Sequence, residues 1–151
     1  QHHGFDMRGI EQALKKNQRK GASVAGGSSI TQQLAKNLFL SPSRSYVRKA
    51  QEAVIALMIE FLWDKRRILE VYLNTAEFAE GVFGVQAAAQ HHFGVDAADL
   101  SALQAARLAA VLPNPKDRSA SEPSSFVRKR TRAILSGAET IAADGRAGCF
   151  Q

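Results

Sequence analysis

Apolar residues recur at helical spacing along nearly the whole chain, separated by short polar or glycine- and proline-containing breaks. Asp6 can cap a first helix over roughly Met7–Lys20, with Ile10, Ala13 and Leu14 inward and Lys15, Lys16, Arg19 and Lys20 outward. Gly21–Ser28 is a break. In the second helix Ile30, Leu34 and Leu38 share one face, until Ser41-Pro42-Ser43 stops it. A third helix is predicted over about Ser43–Trp63. Its core stripe is expected to be Val47, Ala50, Val54, Leu57, Met58 and Phe61, which fall on one arc.

Asp64 caps a fourth helix from Lys65 to about Ala79, with Ile68, Leu69, Tyr72, Leu73 and Ala76 facing the core. Gly81 and Gly84 bracket a turn. A short helix from Val85 to about Phe93 ends at Gly94. Ser101 and Gln104 form the ends of a capping box for an alanine-rich, buried helix that closes at Val111-Leu112, where Pro113-Asn114-Pro115 terminates it. After a polar loop, Ser119–Ser125, the last helix runs from Phe126 to about Ala143, and Gly145 onward reads as a frayed tail. About seven helices with short links, and no internal repeat, make a single all-α domain over residues 1–144, with 145–151 as the tail.

Composition agrees with that class: 45% of the 151 residues are hydrophobic, enough for a real core. The net charge of +6 favours anionic partners such as nucleic acid, acidic headgroups or a phosphorylated substrate. The lone Cys149 excludes an internal disulfide framework and a thiolate metal cluster. The pairs His2-His3 and His91-His92 are adjacent, so their rings diverge, and an incidental surface role rather than a metal site is expected. No apolar run reaches the roughly 18–20 residues of a membrane span.

Two stretches carry candidate chemistry. In Gly26-Gly27-Ser28-Ser29-Ile30-Thr31-Gln32-Gln33, glycines and serines open onto a helix where Gln32/Lys36 and Gln33/Asn37 are spaced i, i+4. Loop amides and the positive helix end suit an anionic, oxygen-rich ligand, while an ordinary capped helix with solvated polar residues remains open. In the third helix Arg44, Arg48 and Glu52 follow at i, i+4, i+8, after which the same side turns apolar at Ile55 and Ile59. A carboxylate at that boundary beside arginines suits catalysis or ligand positioning. The alternative is a surface Arg48–Glu52 pair worth about 0.3–0.5 kcal/mol.

These residues resemble a known family. Gly26 to Gln33 with Lys36-Asn37 is similar to the second signature of the peptidoglycan glycosyltransferases, family 51, and His2-His3-Gly4-Phe5-Asp6 resembles the tail of the first. Arg48-Lys49-Ala50-Gln51-Glu52 resembles the third, Lys65 to Asn74 the fourth, and Arg130 with Ile134-Leu135 the fifth. Trp63, the 74–84 run and the 108–115 run look most like the monofunctional members.

The resemblance implies a lysozyme-like helical fold and a processive, inverting polymerase that joins lipid II to a growing glycan chain through β-1,4 bonds, releasing undecaprenyl diphosphate. It implies catalytic roles for Glu52, Lys36, Arg44 and Arg48: the cations serve the diphosphate, and Glu52 is the second carboxylate. Ser28, Ser29, Thr31, Gln32, Gln33, Asn37, Lys49 and Arg130 are the implied substrate-binding residues. A divalent cation, Mg or Mn, at the diphosphate is the one cofactor it admits, with no protein metal site. Implied partners are the membrane surface and cell-wall synthesis or division proteins, and no nucleic acid. The implied place is the periplasmic side of the bacterial inner membrane, the anchor lying outside this chain.

Two departures matter. The glutamate that acts as general base in the family falls ahead of His2, before Gln1, so the chain as given is expected to bind poorly or not turn over. Ser29 replaces the usual threonine but keeps the hydroxyl. A lytic, lysozyme-like hydrolase is the nearest rival, although it has no use for Lys36, Arg44 and Arg48 around a leaving group. A basic helical nucleic-acid-binding module rests on charge alone.

Overall fold

The computed structural model describes residues 28–40 and 45–145, with Glu11, Lys15 and Gly148. Most of the expected first helix at Met7–Lys20, most of the Gly21–Ser28 break, Arg44, the His2-His3 pair and Cys149 lie outside these residues; Glu11 and Lys15, within that expected helix, are helical. Two compact units, Gln1–Tyr72 and Leu73–Gln151, divide the chain. Both are mainly helical, in keeping with the expected lysozyme-like helical class.

The first unit contains α1 (Ile30–Phe39), α2 (Tyr46–Leu62) and the start of α3 (Lys65–Thr75). Each begins on a side-chain cap that answers an orphan backbone donor. Ser29 and Gln32 form a reciprocal capping box: Ser29 Oγ accepts from Gln32 N at 3.2 Å, and Gln32 Oε1 accepts from Ser29 N at 2.9 Å. Ser45 Oγ accepts from Arg48 N at 3.1 Å, and Asp64 Oδ1 accepts from Arg67 N at 2.7 Å, as the sequence predicts for Asp64. α1 packs on α2, and Leu34, Ala35, Ala56, Ile59, Ile68 and Tyr72 are buried.

The face of α2 that turns inward is not the predicted one. Glu52, Ala56 and Ile59 are its buried residues, whereas Val47, Ala50, Val54, Leu57, Met58 and Phe61 are all exposed, Phe61 at 88%. Apolar residues lie on both sides of this helix, so periodicity alone does not choose between them. The small Ala56, fully buried, marks the inward side. α1 shows the same correction in part: Leu34 is buried, but Ile30 and Leu38 are exposed, and Thr31, Gln32 and Ala35 complete the inner face.

In the second unit the chain leaves α3 at Thr75 instead of continuing to Ala79. It forms a small antiparallel hairpin, β1 (Glu77–Ala79) and β2 (Val82–Phe83), with Glu77 opposite Phe83 and Ala79 opposite Val82 around an irregularity. Gly84 closes it at φ +84°, donating its N–H to Ala76 O at 2.9 Å. A Cβ there would stand 2.9 Å from Asn74 O, so both the dihedral and the space require glycine. α4 (Val85–Phe93) ends at Gly94 in the left-handed conformation, as predicted. After a 3-10 turn at Ala97–Asp99 come α5 (Ala102–Val111), opened by the expected Ser101–Gln104 capping box, and α6 (Ser125–Ala143).

α5 and α6 pack together over Phe78, Leu108, Val111, Val127 and a set of buried alanines. Among the described residues no helix is long and apolar enough to cross a membrane.

Candidate active site

Four of the predicted site residues, Ser28, Arg48, Lys49 and Glu52, meet where the start of α1 approaches the first half of α2. Glu52 is the centre. Its side chain is only 3% exposed and lies on the inward face of α2. Lys49 Nζ, three residues back, donates to Glu52 Oε1 and also reaches Ser28 Oγ at 3.2 Å. One ammonium therefore links the start of α1 to the buried carboxylate, reaching Ser28 from 21 positions away in sequence.

Arg48 completes the group. Its Nη1 stands 4.0 Å from Glu52 Oε2, and its side chain is 17% exposed. The i, i+4 pair legible in the sequence is thus present, but as a largely buried contact with Lys49 as the closer cation. Arg48 Nε is buried and meets no acceptor among the described residues. An unmet buried donor costs about 1–3 kcal/mol, which marks this guanidinium as more than a packing residue.

The polar residues of α1 divide into two sets. Gln32 is buried and folds back on Ser29, so its amide oxygen is used by the capping box. Gln33 is half-buried: its Nε2 donates to Ser28 O at 3.3 Å, and its Oε1 accepts from Tyr72 Oη at 3.2 Å. Burial raises the Tyr72 phenol above its usual pKa, so it stays a neutral donor to Gln33. Together these bonds fix Ser28 and Ser29 against the helix start. Lys36 and Asn37, one turn further, are exposed. Thr31 is buried, and its hydroxyl donates to Glu60 Oε1.

Glu60 was not among the sequence candidates. Its partner Thr31 lies 29 residues away, and a glutamate near a helix end before Lys65 reads as solvated. The available signal is positional: Glu60 follows Glu52 and Ala56 at i+8 and i+4 along one line of α2.

Arg130 stands exposed on α6 in the second unit, and Arg44 falls outside the described residues. His91 is exposed as expected, but His92 is not a surface residue: it is buried, with Nε2 3.3 Å from Phe78 O. Burial lowers its pKa most, and the charge on His91 adds to this, while the bond to Phe78 opposes them.

As a chemical arrangement, the described part of this site sets Arg48 and Lys49 against one carboxylate, beside a serine-lined helix start, with Lys36 exposed one turn further along α1. It offers a surplus of cationic donors and few anionic ligands. That composition suits a polyanionic oxygen ligand.

The Transglycosylase family profile matches residues 1–139. The chain is 57% identical over 149 residues to a biosynthetic peptidoglycan transglycosylase of Jannaschia sp. (strain CCS1), covering 99% of this chain and 60% of that protein. It is 65% identical over 115 residues to one from Azoarcus sp. (strain BH72), covering 76% of this chain and 50% of the relative. A third, from Pseudomonas aeruginosa PAO1, is 57% identical over 134 residues, covering 89% and 57%. The chain thus spans 50–60% of the length of these curated relatives. It belongs to the Transglycosylase family.

Proposed function

We propose that this chain is the catalytic part of a peptidoglycan glycosyltransferase that polymerises lipid II into β-1,4 glycan strands with inversion and release of undecaprenyl diphosphate. The observation that carries the reading is the Ser28–Lys49–Glu52–Arg48 group, with its surplus of positive charge around a single buried carboxylate. In an inverting transfer a sugar 4-hydroxyl attacks the face opposite an α-linked diphosphate. The bond to the departing oxygen breaks as negative charge collects on the diphosphate, and a base takes the hydroxyl proton. Cationic donors held in place before the reaction stabilise that developing charge.

In this reading Lys36, Arg44 and Arg48 serve the diphosphate. Glu52 holds Lys49 and Arg48 in position by pairing with both. It is not the base; that role falls to the glutamate that opens the family's first signature. Ser28, Ser29, Gln33 and Asn37 then line the sugar or phosphate groups.

The donor set does not fit a divalent ion held by the protein. Glu52 is the one carboxylate of the group and is already paired with Lys49. A Mg or Mn ion would have to be held chiefly by diphosphate oxygens.

The exposed apolar face of α2, from Tyr46 to Leu62, gives the domain a surface that would rest against a bilayer. This supports contact with a membrane surface; a place at the periplasmic face of the bacterial inner membrane, among cell-wall synthesis or division proteins, follows from the polymerase reading itself.

The test uses the chain extended upstream through the complete first motif and supplied with lipid II. Polymer forms, and Glu52→Gln and Lys36→Ala each lower the initial rate by about 100-fold or more, the range for removing a preorganised charge-stabilising group. Unchanged polymer yield in both variants overturns the site assignment.

A further inference from the structure

α2 carries a second buried carboxylate that the reaction above does not use. The Glu60 side chain is 6% exposed, accepts the hydroxyl hydrogen bond of Thr31 through Oε1, and pairs with Lys65 through Oε2. Thr31 lies in the first turn of α1, and Lys65 opens α3. One carboxylate near the end of α2 therefore fastens the first turns of two other helices.

Burying a carboxylate is expensive unless it is paired, and well-packed apolar residues in its place are often equally stable or better. α2 is rich in apolar residues, so a charged strut here is a weak device for stability alone. Its value lies in what it fixes. Thr31 sits between Ser29 and Gln32, the two halves of the α1 capping box, and next to the turn whose Ser28 receives Lys49. A shift of Thr31 therefore moves Ser28, and through Lys49 it reaches Glu52.

We propose that Glu60 is a positioning residue for glycosyl transfer, acting through Thr31 to hold the Ser28–Gln33 turn in register with Lys49 and Glu52. This places Thr31 in the support of the site rather than against substrate. The inference rests on the polymerase reading given above.

Steady-state kinetics with lipid II, on the chain extended through the complete first motif, tests it with Glu60→Gln, Thr31→Val, their combination and Thr31→Ser. Glu60→Gln and Thr31→Val each lower kcat about 10- to 100-fold, the range for a misplacement of about 1 Å, with KM within about twofold. The double variant is no slower than the slower single one, because both changes break the same link. Thr31→Ser recovers most of the Thr31→Val loss, since it restores the hydroxyl.

Unchanged kcat in both single variants overturns the inference while the polymerase reading stands. So do losses that multiply in the double variant, or a Thr31→Ser enzyme as slow as Thr31→Val. An unsubstituted enzyme that makes no polymer overturns the reading and the inference together. If Glu60→Gln does not fold, Thr31→Val against Thr31→Ser decides alone, because those two differ from the parent by only a hydroxyl or a methyl group.

Discussion

Single residues in this protein do work that their sequence neighbourhood does not announce, and His92 shows it in the second unit. Its ring is buried against Phe78 O, and burial together with His91 holds its pKa below the ordinary 6.5. In the unfolded chain the same ring takes up a proton near pH 6.5. Between that value and the lowered native one the unfolded state binds more protons, so stability falls as pH drops through the window and levels off below it. Thermal melts from pH 7.5 to 5 follow that slope, and His92→Gln flattens it; a slope unchanged in the variant removes His92 as its source. Gly84 is the second case. An alanine there meets Asn74 O and a positive φ at once, so Gly84→Ala lowers stability by about 1–3 kcal/mol in a denaturant titration.

At the scale of elements, the features legible in the sequence are those decided by local chemistry. Asp64 caps α3, Ser101 and Gln104 box the start of α5, Gly94 closes α4, and Pro113 follows the end of α5, because each needs only its near neighbours. The features that escaped it depend on distant partners. The buried side of α2 is chosen by α1, and the apolar residues on both its sides leave the period ambiguous. The β1–β2 hairpin replaces a helical continuation because Gly81 and Gly84 permit positive φ and close the chain on Ala76, although Tyr72, Leu73 and Ala76 sit at helical spacing. Glu52 was legible from its place among Arg44, Arg48 and Ile55, whereas Lys49 as its closest cation and Glu60 as a second buried acid were not. The exposed stripe of α2 leads to a prediction at this same scale. Phe61→Asp removes little packing, since Phe61 is 88% exposed, so the melting temperature stays within a few degrees while association with lipid vesicles falls. A variant that binds vesicles as the parent does would show that this stripe is not the contact.

For the whole molecule, charge and exposed apolar surface are separable forces, and salt separates them. A net charge of +6 draws the protein to anionic surfaces over a range set by ionic strength, about 10 Å at 0.1 M and about 3 Å at 1 M. Apolar burial is not screened, and excluded salts strengthen it. Vesicles with and without anionic phospholipid, titrated from about 0.05 to 1 M salt, therefore report two components. Binding to the anionic vesicles falls steeply at first and then reaches a plateau, while binding to neutral vesicles stays near that plateau throughout. Phe61→Asp lowers the plateau and leaves the salt-sensitive part largely in place, apart from the one charge it adds. A parent whose binding to anionic vesicles vanishes in high salt would mean that charge alone brings the domain to a lipid surface, with the apolar face of α2 reserved for another contact.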